Sequence, residues 1–328
     1  MMNILHPNPD RLVTDMLDGF VRSHPGLARL PGTQVIVRSQ LDQKVGLVSG
    51  GGSGHEPAHA GYVGYGMLDA AVAGQIFTSP TPNEVLNAIR AVDRGLGVLL
   101  IIKNYTGDVM NFEMAAELAQ DEGIAVEKVI VADDVAVENS TFTIGRRGVA
   151  GTVFVHKIAG ASAQRGDSLQ EVKRVADKVA ARVFSMGLAL SPCILPTTGK
   201  PSFDLPAGEV EIGIGIHGEP GVRRGSIAPL TELVDMLIDR VAAESSLQKS
   251  DEVALMINGM GATPLAELGV CAHHAMARLD QIGVKIHKSL LGEYMTSLNM
   301  AGFSITVLKL DSELKSLLDE PTHAPAWR

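Results

Sequence analysis

The run Gly97-Val-Leu-Leu-Ile-Ile-Lys-Asn104 decides the fold class. Val98 to Ile102 are all aliphatic, and such a run has no polar face. That is the pattern of a strand covered on both sides. On its N-terminal side, Ser79-Pro-Thr-Pro-Asn-Glu84 reads as a helix start. Thr81 can cap, Pro82 suits the first helical position, and Glu84 completes a capping box. This helix is expected to run to about Arg94 and stop at Gly95. On the C-terminal side, a helix is expected from near Asp108 to Gly123, and a strand from Val126 to Ala132. Strand, helix, strand in alternation predicts βαβ units.

The same alternation extends in both directions. Leu12, Val13, Met16, Leu17 and Phe20 have helical spacing, and Gln34–Val37 and Val45–Val48 read as strands. Ser168 and Glu171 form a second capping box, opening a helix expected to reach Met186 with Val172, Val175, Val179 and Val183 on its stripe. Four prolines (Pro192, Pro196, Pro201, Pro206) then interrupt the pattern. Beyond them, strands are expected at Val210–His217, Val253–Asn258, Ile286–Leu291 and Phe303–Leu310, and helices around Leu230–Val241 and Pro264–Gln281. The expected architecture is two α/β domains with parallel or mixed sheets flanked by helices. The first covers residues 1–190 and the second 191–328.

Composition limits the function classes. A net charge of −9 argues against a nonspecific nucleic-acid binder, which needs a basic face. Cys193 and Cys271 give no disulfide framework and fit a reducing compartment. The longest apolar run is too short to span a bilayer. The N-terminal MMNILHPNPDR carries no long apolar segment, so neither a signal peptide nor a membrane association is expected. A cytoplasmic location follows as the expectation.

Three stretches carry residues suited to chemistry. In Lys44-Val-Gly-Leu-Val-Ser-Gly-Gly-Gly-Ser-Gly-His-Glu-Pro57, an apolar strand breaks into what reads as a glycine turn, with His55 at its tip. No Lys-Ser or Lys-Thr follows the glycines, so this is not a nucleotide-phosphate loop, and His55 stands where a dinucleotide fingerprint needs glycine. Backbone amides of Gly52, Ser53 and Gly54 could still donate to ligand oxygens. In Glu211-Ile-Gly-Ile-Gly-Ile-His-Gly-Glu-Pro-Gly221, glycines alternate with isoleucines at period two. They are read as lying within a strand that delivers His217 to its end. In Lys103-Asn-Tyr-Thr-Gly-Asp108, a buried strand leads into a helix start. Asp108 there is either an N-cap or a general base at the mouth of a cleft. The bland alternatives are a surface-loop histidine for His55, a core or loop histidine for His217, and packing for His59. Arg146-Arg147 reads as a salt-bridge pair before an anion site. No serine elbow or multi-metal carboxylate cluster is present. Two histidines and an aspartate at strand ends suit a small polyhydroxy or carbonyl ligand, since neutral histidine can add to a ketone.

The stretches GLVSGGGSGHEPAHAGYVGYGML, GQIFTSPTPNEV, GVLLIIKNYTGDVMNFEMA, GRRGVAGTVFVHKIAGA, GKPSF, GIGIHGEPG, GATPLAEL and HAPAW together resemble the dihydroxyacetone kinase substrate-binding (DhaK) family over nearly the whole chain. The resemblance implies a homodimeric subunit that binds dihydroxyacetone. It matches His217 to the histidine that forms a covalent hemiaminal with the ketone carbon. It matches His55 and Asp108 to acid/base and hydrogen-bonding positions, and Gly52, Ser53, Gly54 and Lys103 to substrate contacts. The family keeps nucleotide and Mg²⁺ on a helical DhaL-type domain or subunit. The end at Arg328 therefore implies a partner, supplied with phosphoryl groups by the phosphotransferase system or by ATP, and no metal or cofactor is expected on this chain. A ligand-sensing coregulator of a transcription factor and a kinase subunit for a longer ketose such as erythrulose are the alternatives. Two departures, a short Glu244–Asp251 stretch and the N-terminal HPNP, leave the matched residues untouched.

Overall fold

The structure, a computed structural model, describes residues 8–138 and 143–327; His6 and Pro7 of the HPNP departure fall outside them. In chain order the elements are α1 (Leu12–Ser23), β1 (Leu27–Arg29), β2 (Val35–Arg38), β3 (Gly46–Ser53), β4 (Ala70–Ile76), α2 (Pro82–Val92), β5 (Val98–Lys103), α3 (Thr106–Asp121), β6 (Val126–Val131), α4 (Thr152–Gln164), α5 (Leu169–Ala180) and β7 (Val183–Ala189). There follow β8 (Glu209–Ile212), β9 (Arg223–Ser226), α6 (Leu230–Glu244), β10 (Glu252–Gly259), α7 (Leu265–Ile282), β11 (Lys285–Gly292), β12 (Gly302–Leu310) and α8 (Ser312–Leu318).

One mixed sheet has the order β1-β2-β4-β3-β5-β6, with β4, β3, β5 and β6 parallel to one another. The other has the order β11-β10-β12-β7-β8-β9 and is antiparallel except for β10 with β11. Period two explains the layering. In β5, Val98, Leu100 and Ile102 face α2 and α3, while Leu99 and Ile101 join a core with α4 and α5. In β10, Val253, Leu255 and Ile257 face α6 and α7, while Ala254 and Met256 join that same α4/α5 core. Helices α4, α5 and α8 are thus a layer shared by both sheets.

The N-cap half of each expected capping box forms, while the glutamates turn elsewhere, Glu84 to the Gln34 N–H and Glu171 to Arg174. Thr81 Oγ1 accepts from Glu84 N–H and Ser168 Oγ from Glu171 N–H, each at 3.4 Å. Three expectations are corrected. The helix from Ser168 stops at Ala180, and Val183–Ala189 form β7 in the second sheet. Val183 continues the helical stripe by coincidence, while pairing to β12 fixes the following backbone. The first sheet takes its strands from before α4 and the second from β7 onward. Gly50–Gly52 are not a turn: they continue β3 opposite Val72, Ala73 and Gly74 of β4. Conversely, the strand read through His217 ends at Ile212, because Gly213 takes φ +77° and turns the chain. Helix α4 had no amphipathic signal, since every residue from Thr152 to Ala163 is buried.

Candidate active site

β3 and β5 end side by side, and their ends build the floor of the site. Lys103 is the last residue of β5 and is fully buried. The Tyr105 N–H donates to the Lys103 carbonyl at 2.8 Å, and α3 starts at Thr106. Asp108 sits in the first turn of α3 and is not its N-cap, which is Tyr105. Its carboxylate is buried, 3.6 Å from the Lys103 ammonium. A Cβ on Gly51 would lie 2.8 Å from Lys103 Nζ, so the ammonium would have to move from its place beside Asp108.

His55, just beyond β3, is buried and held by the other half of the chain. Its Nδ1 lies 2.7 Å from the Thr296 carbonyl, so Nδ1 carries the proton and Nε2 is an acceptor. The Leu298 N–H donates to the Gly54 carbonyl at 2.7 Å. The loop bearing Thr296 is braced by Asn258 at the end of β10. The Asn258 Oδ1 accepts from Tyr294 and Met295 N–H, and its Nδ2 donates to the Met295 carbonyl. Burial first, then the charges of Lys103 and His217, hold His55 well below the ordinary histidine range, so it is neutral at neutral pH.

His217 arrives from the opposite side on the loop after β8. That loop is anchored to the first half by Arg147, whose side chain is completely buried. Its Nη2 donates to the Gly213 carbonyl at 2.7 Å, and it pairs with Asp134 at 2.6 Å. Glu219, also buried, grips His217 twice. Its carboxylate accepts from the His217 backbone N–H at 2.9 Å and from Nδ1–H at 2.7 Å. Burial alone would raise the Glu219 carboxyl, but His217 and Arg147 overcome it and hold it at about 2. The His217 ring stands edge-on to His55, Phe77 and Tyr105, with centroids 4.8, 5.1 and 4.6 Å away. Phe77 also stacks on His55 at 5.1 Å. Its backbone is left-handed, φ +53°, and is tied down by its N–H donating to the Ser53 carbonyl at 2.9 Å.

The residues singled out in the sequence therefore converge. A cavity of about 420 Å³ is lined by Gly52, Phe77, Ser79, Tyr105, Thr106, Gly107, Asp108 and His217. His55 and Lys103 stand behind that wall. His55 Nε2, Lys103 Nζ and Asp108 Oδ1 are buried without a hydrogen-bond partner among the described residues. Buried polar atoms are almost always paired, so three orphans together indicate a polar ligand. Ser53 and Gly54 are engaged structurally. The Ser53 hydroxyl donates to the Gly74 carbonyl at 2.7 Å, and the Gly54 N–H donates to the Glu56 carboxylate at 3.1 Å.

Residues 18–326 match the Dak1 domain family model. This chain belongs to the Dak1 family. It is 56% identical over 321 residues, covering 97% of this chain and 98% of the relative, to the dihydroxyacetone-binding subunit DhaK of phosphotransferase-system-dependent dihydroxyacetone kinase 1 from Listeria innocua. Its fold is that of a dihydroxyacetone kinase operon co-activator, Dha-DhaQ, at TM-score 0.91 and 38% identity, covering 95% of this chain and 97% of that one. It also matches the dihydroxyacetone kinase of C. freundii at TM-score 0.91 and 38% identity, covering all of this chain and 60% of that one. Two parts of this Dak1 site do not stand out in the sequence. Phe77 and Tyr105 wall the ring in, and aromatic residues give no signal of their own in a loop. Glu219 lies inside the turn that follows His217, two residues on, and that spacing is the available cue.

Proposed function

We propose that this chain is the dihydroxyacetone-binding subunit of a multi-subunit dihydroxyacetone kinase, a phosphotransferase. It captures the ketone as a hemiaminal on His217 and presents a hydroxyl for phosphorylation to dihydroxyacetone phosphate. The observation that carries the reading is the meeting of His217, its Nδ1 engaged by Glu219, with three buried polar atoms of His55, Lys103 and Asp108 that have no hydrogen-bond partner among the described residues. The Nε2 lone pair of His217 is the nucleophile toward the carbonyl carbon. His55 Nε2 accepts a hydrogen bond from a ligand hydroxyl. Asp108 takes the proton of the hydroxyl that attacks phosphorus, with the Lys103 ammonium 3.6 Å away. Gly52 supplies backbone on the cavity wall; Ser53 and Gly54 act by holding that wall. A polyol without a carbonyl cannot be captured this way.

Among the described residues, no three His, Cys, Asp or Glu side chains gather where they could hold a metal ion, and Asp108 is the one carboxylate lining the cavity. The reading keeps Mg²⁺ and nucleotide off this chain. In-line transfer needs charge neutralisation at the phosphoryl group, so the proposal assigns both to a DhaL-type partner, loaded by the phosphotransferase system or by ATP. Homodimerisation and a cytoplasmic location belong to the same proposal. Among the described residues, no helix is long and apolar enough to cross a membrane.

The test is reconstitution with a DhaL-type subunit and each donor, followed by assay of dihydroxyacetone phosphate, with erythrulose as a parallel substrate. Binding without product from any donor would sink the kinase reading. It would favour the second one, a ligand-sensing coregulator, which the likeness to the co-activator structure supports.

A further inference from the structure

Glu219 does more than close a turn. Its two carboxylate oxygens take different hydrogens of one residue, the backbone N–H and the ring Nδ1–H of His217. It is 3% exposed, so water does not screen it. Behind it stands Arg147, whose Nε donates to Asp134, Nη2 to the Gly213 carbonyl and Nη1 to the Pro220 carbonyl, so that its charge acts on Glu219 without a direct hydrogen bond. Asp134, Arg147 and Glu219 alternate in charge, and the last of them meets the His217 ring. A structural clamp would need only the backbone contact; the ring contact concerns the imidazole itself.

We infer that Glu219 is the positioning residue of the capture step and the counter-ion of the captured state, a conclusion that rests on the hemiaminal reading above. In the capture step the Nε2 lone pair forms the bond to the ketone carbon, and the C=O π pair moves to oxygen. The ring, keeping its Nδ1–H, becomes cationic, and the oxygen takes one proton from solvent to become the hemiaminal hydroxyl. The adduct is therefore an imidazolium facing the Glu219 carboxylate across 2.7 Å. The other titratable or charged groups around it are His55 at the end of β3, Lys103 at the end of β5, Tyr105 and Asp108 at the start of α3, and Arg147 before α4. His55 is held neutral by burial and by Lys103, so Glu219 is the anion in contact with the ring. Fixing Nδ1–H also fixes the tautomer that leaves Nε2 free to attack.

The experiment is calorimetry of dihydroxyacetone binding to the whole chain at pH 8, in buffers of different ionisation enthalpy, with ¹⁵N-histidine spectra of the adduct. The wild-type protein is expected to take up close to one proton per ketone and to keep its Nδ1–H signal in the adduct. Glu219→Gln is expected to lose both and to bind at least tenfold more weakly. An adduct formed by the wild-type protein without proton uptake overturns the inference even if the variant fails to fold. So does a folded Glu219→Gln protein with wild-type affinity and uptake. Absence of any adduct in the wild-type protein overturns the underlying capture reading instead.

Discussion

Two glycine-rich stretches meet at this site, and they use glycine in opposite ways. Gly50–Gly52 lie within a strand, paired in register to β4, where the missing Cβ makes room for a neighbour such as the Lys103 ammonium. Gly213 and Gly218 lie in a loop at φ +77° and +86°, where the missing Cβ permits the backbone itself to turn. The first stretch is a rigid wall with buried functional groups behind it. The second is a tethered arm carrying His217. One provides space and the other provides direction, so the same residue type fails differently in each when replaced.

Four experiments test that contrast, and a fifth tests the buried histidines nearby. The largest effect is expected on the arm. His217→Ala should abolish detectable ketone capture and lower turnover by about 10³-fold or more, while the melting temperature stays within a few degrees. Capture, read by ¹³C spectra of labelled dihydroxyacetone, persisting in that variant would remove the arm's chemical role. On the wall, Asp108→Asn should leave capture intact and lower turnover by about 10²–10⁴-fold. A variant turning over at the wild-type rate would remove Asp108 as the base.

The glycines themselves come next. Gly51→Ala forces a Cβ against the Lys103 ammonium. It should reduce kcat/KM by about 10–100-fold through misplaced polar groups, with a stability loss of about 1–3 kcal/mol. Gly213→Ala places a Cβ 2.7 Å from that of Ala136 at a left-handed φ. It should cost stability of about 1–3 kcal/mol and loosen capture along with it. If Gly51→Ala behaves like Gly213→Ala in the split between denaturation midpoint and kinetics, the contrast is wrong.

The smallest effect is graded with pH. Burial, first among the causes, holds His55 and His59 well below the ordinary histidine range and His156 at about 3. The unfolded chain protonates these residues near pH 6.5, and each tenfold loss of proton affinity on folding is worth about 1.4 kcal/mol. Each folded pKa is depressed, so this stability is fully present above pH 6.5 and is lost as pH falls toward the folded values. Thermal unfolding should therefore shift downward between pH 7 and pH 5, by more than one histidine can explain. Replacing His156 with an uncharged residue of similar size should flatten that slope, and an unchanged slope would assign it elsewhere.

Much of this architecture was legible in the chain. The all-aliphatic run of β5 and the two helix starts located the parallel core. The strand-end reading pointed to His55 and Asp108, and to His217 through a strand that in fact stops at Ile212, while Lys103 came from the family resemblance. The glycines misled because glycine marks both a turn and a close approach, and only the strand pairing of β3 separates the two. α4 was silent because a helix buried all round has no stripe. Val183 extended α5 because a stripe can run on past the point where β12 takes over the backbone. Glu219, with only its spacing from His217 as a cue, and Thr296, with none, were hard to read for another reason. Their roles depend on contacts to a ring and on a loop 241 residues from His55.

The shared layer of α4, α5 and α8 has a mechanical consequence. Two lobes joined by a flexible strap can shut over a ligand like jaws. Here both sheets are glued to the same helices, Trp327 at the end of the chain packs on Phe154 of α4, and Thr296 and Arg147 pin each lobe to the other. Those contacts tie the two lobes into one stack. On the proposed function, drying the mouth above His217 for phosphoryl transfer then falls to the partner's surface and not to a swing of one lobe on the other.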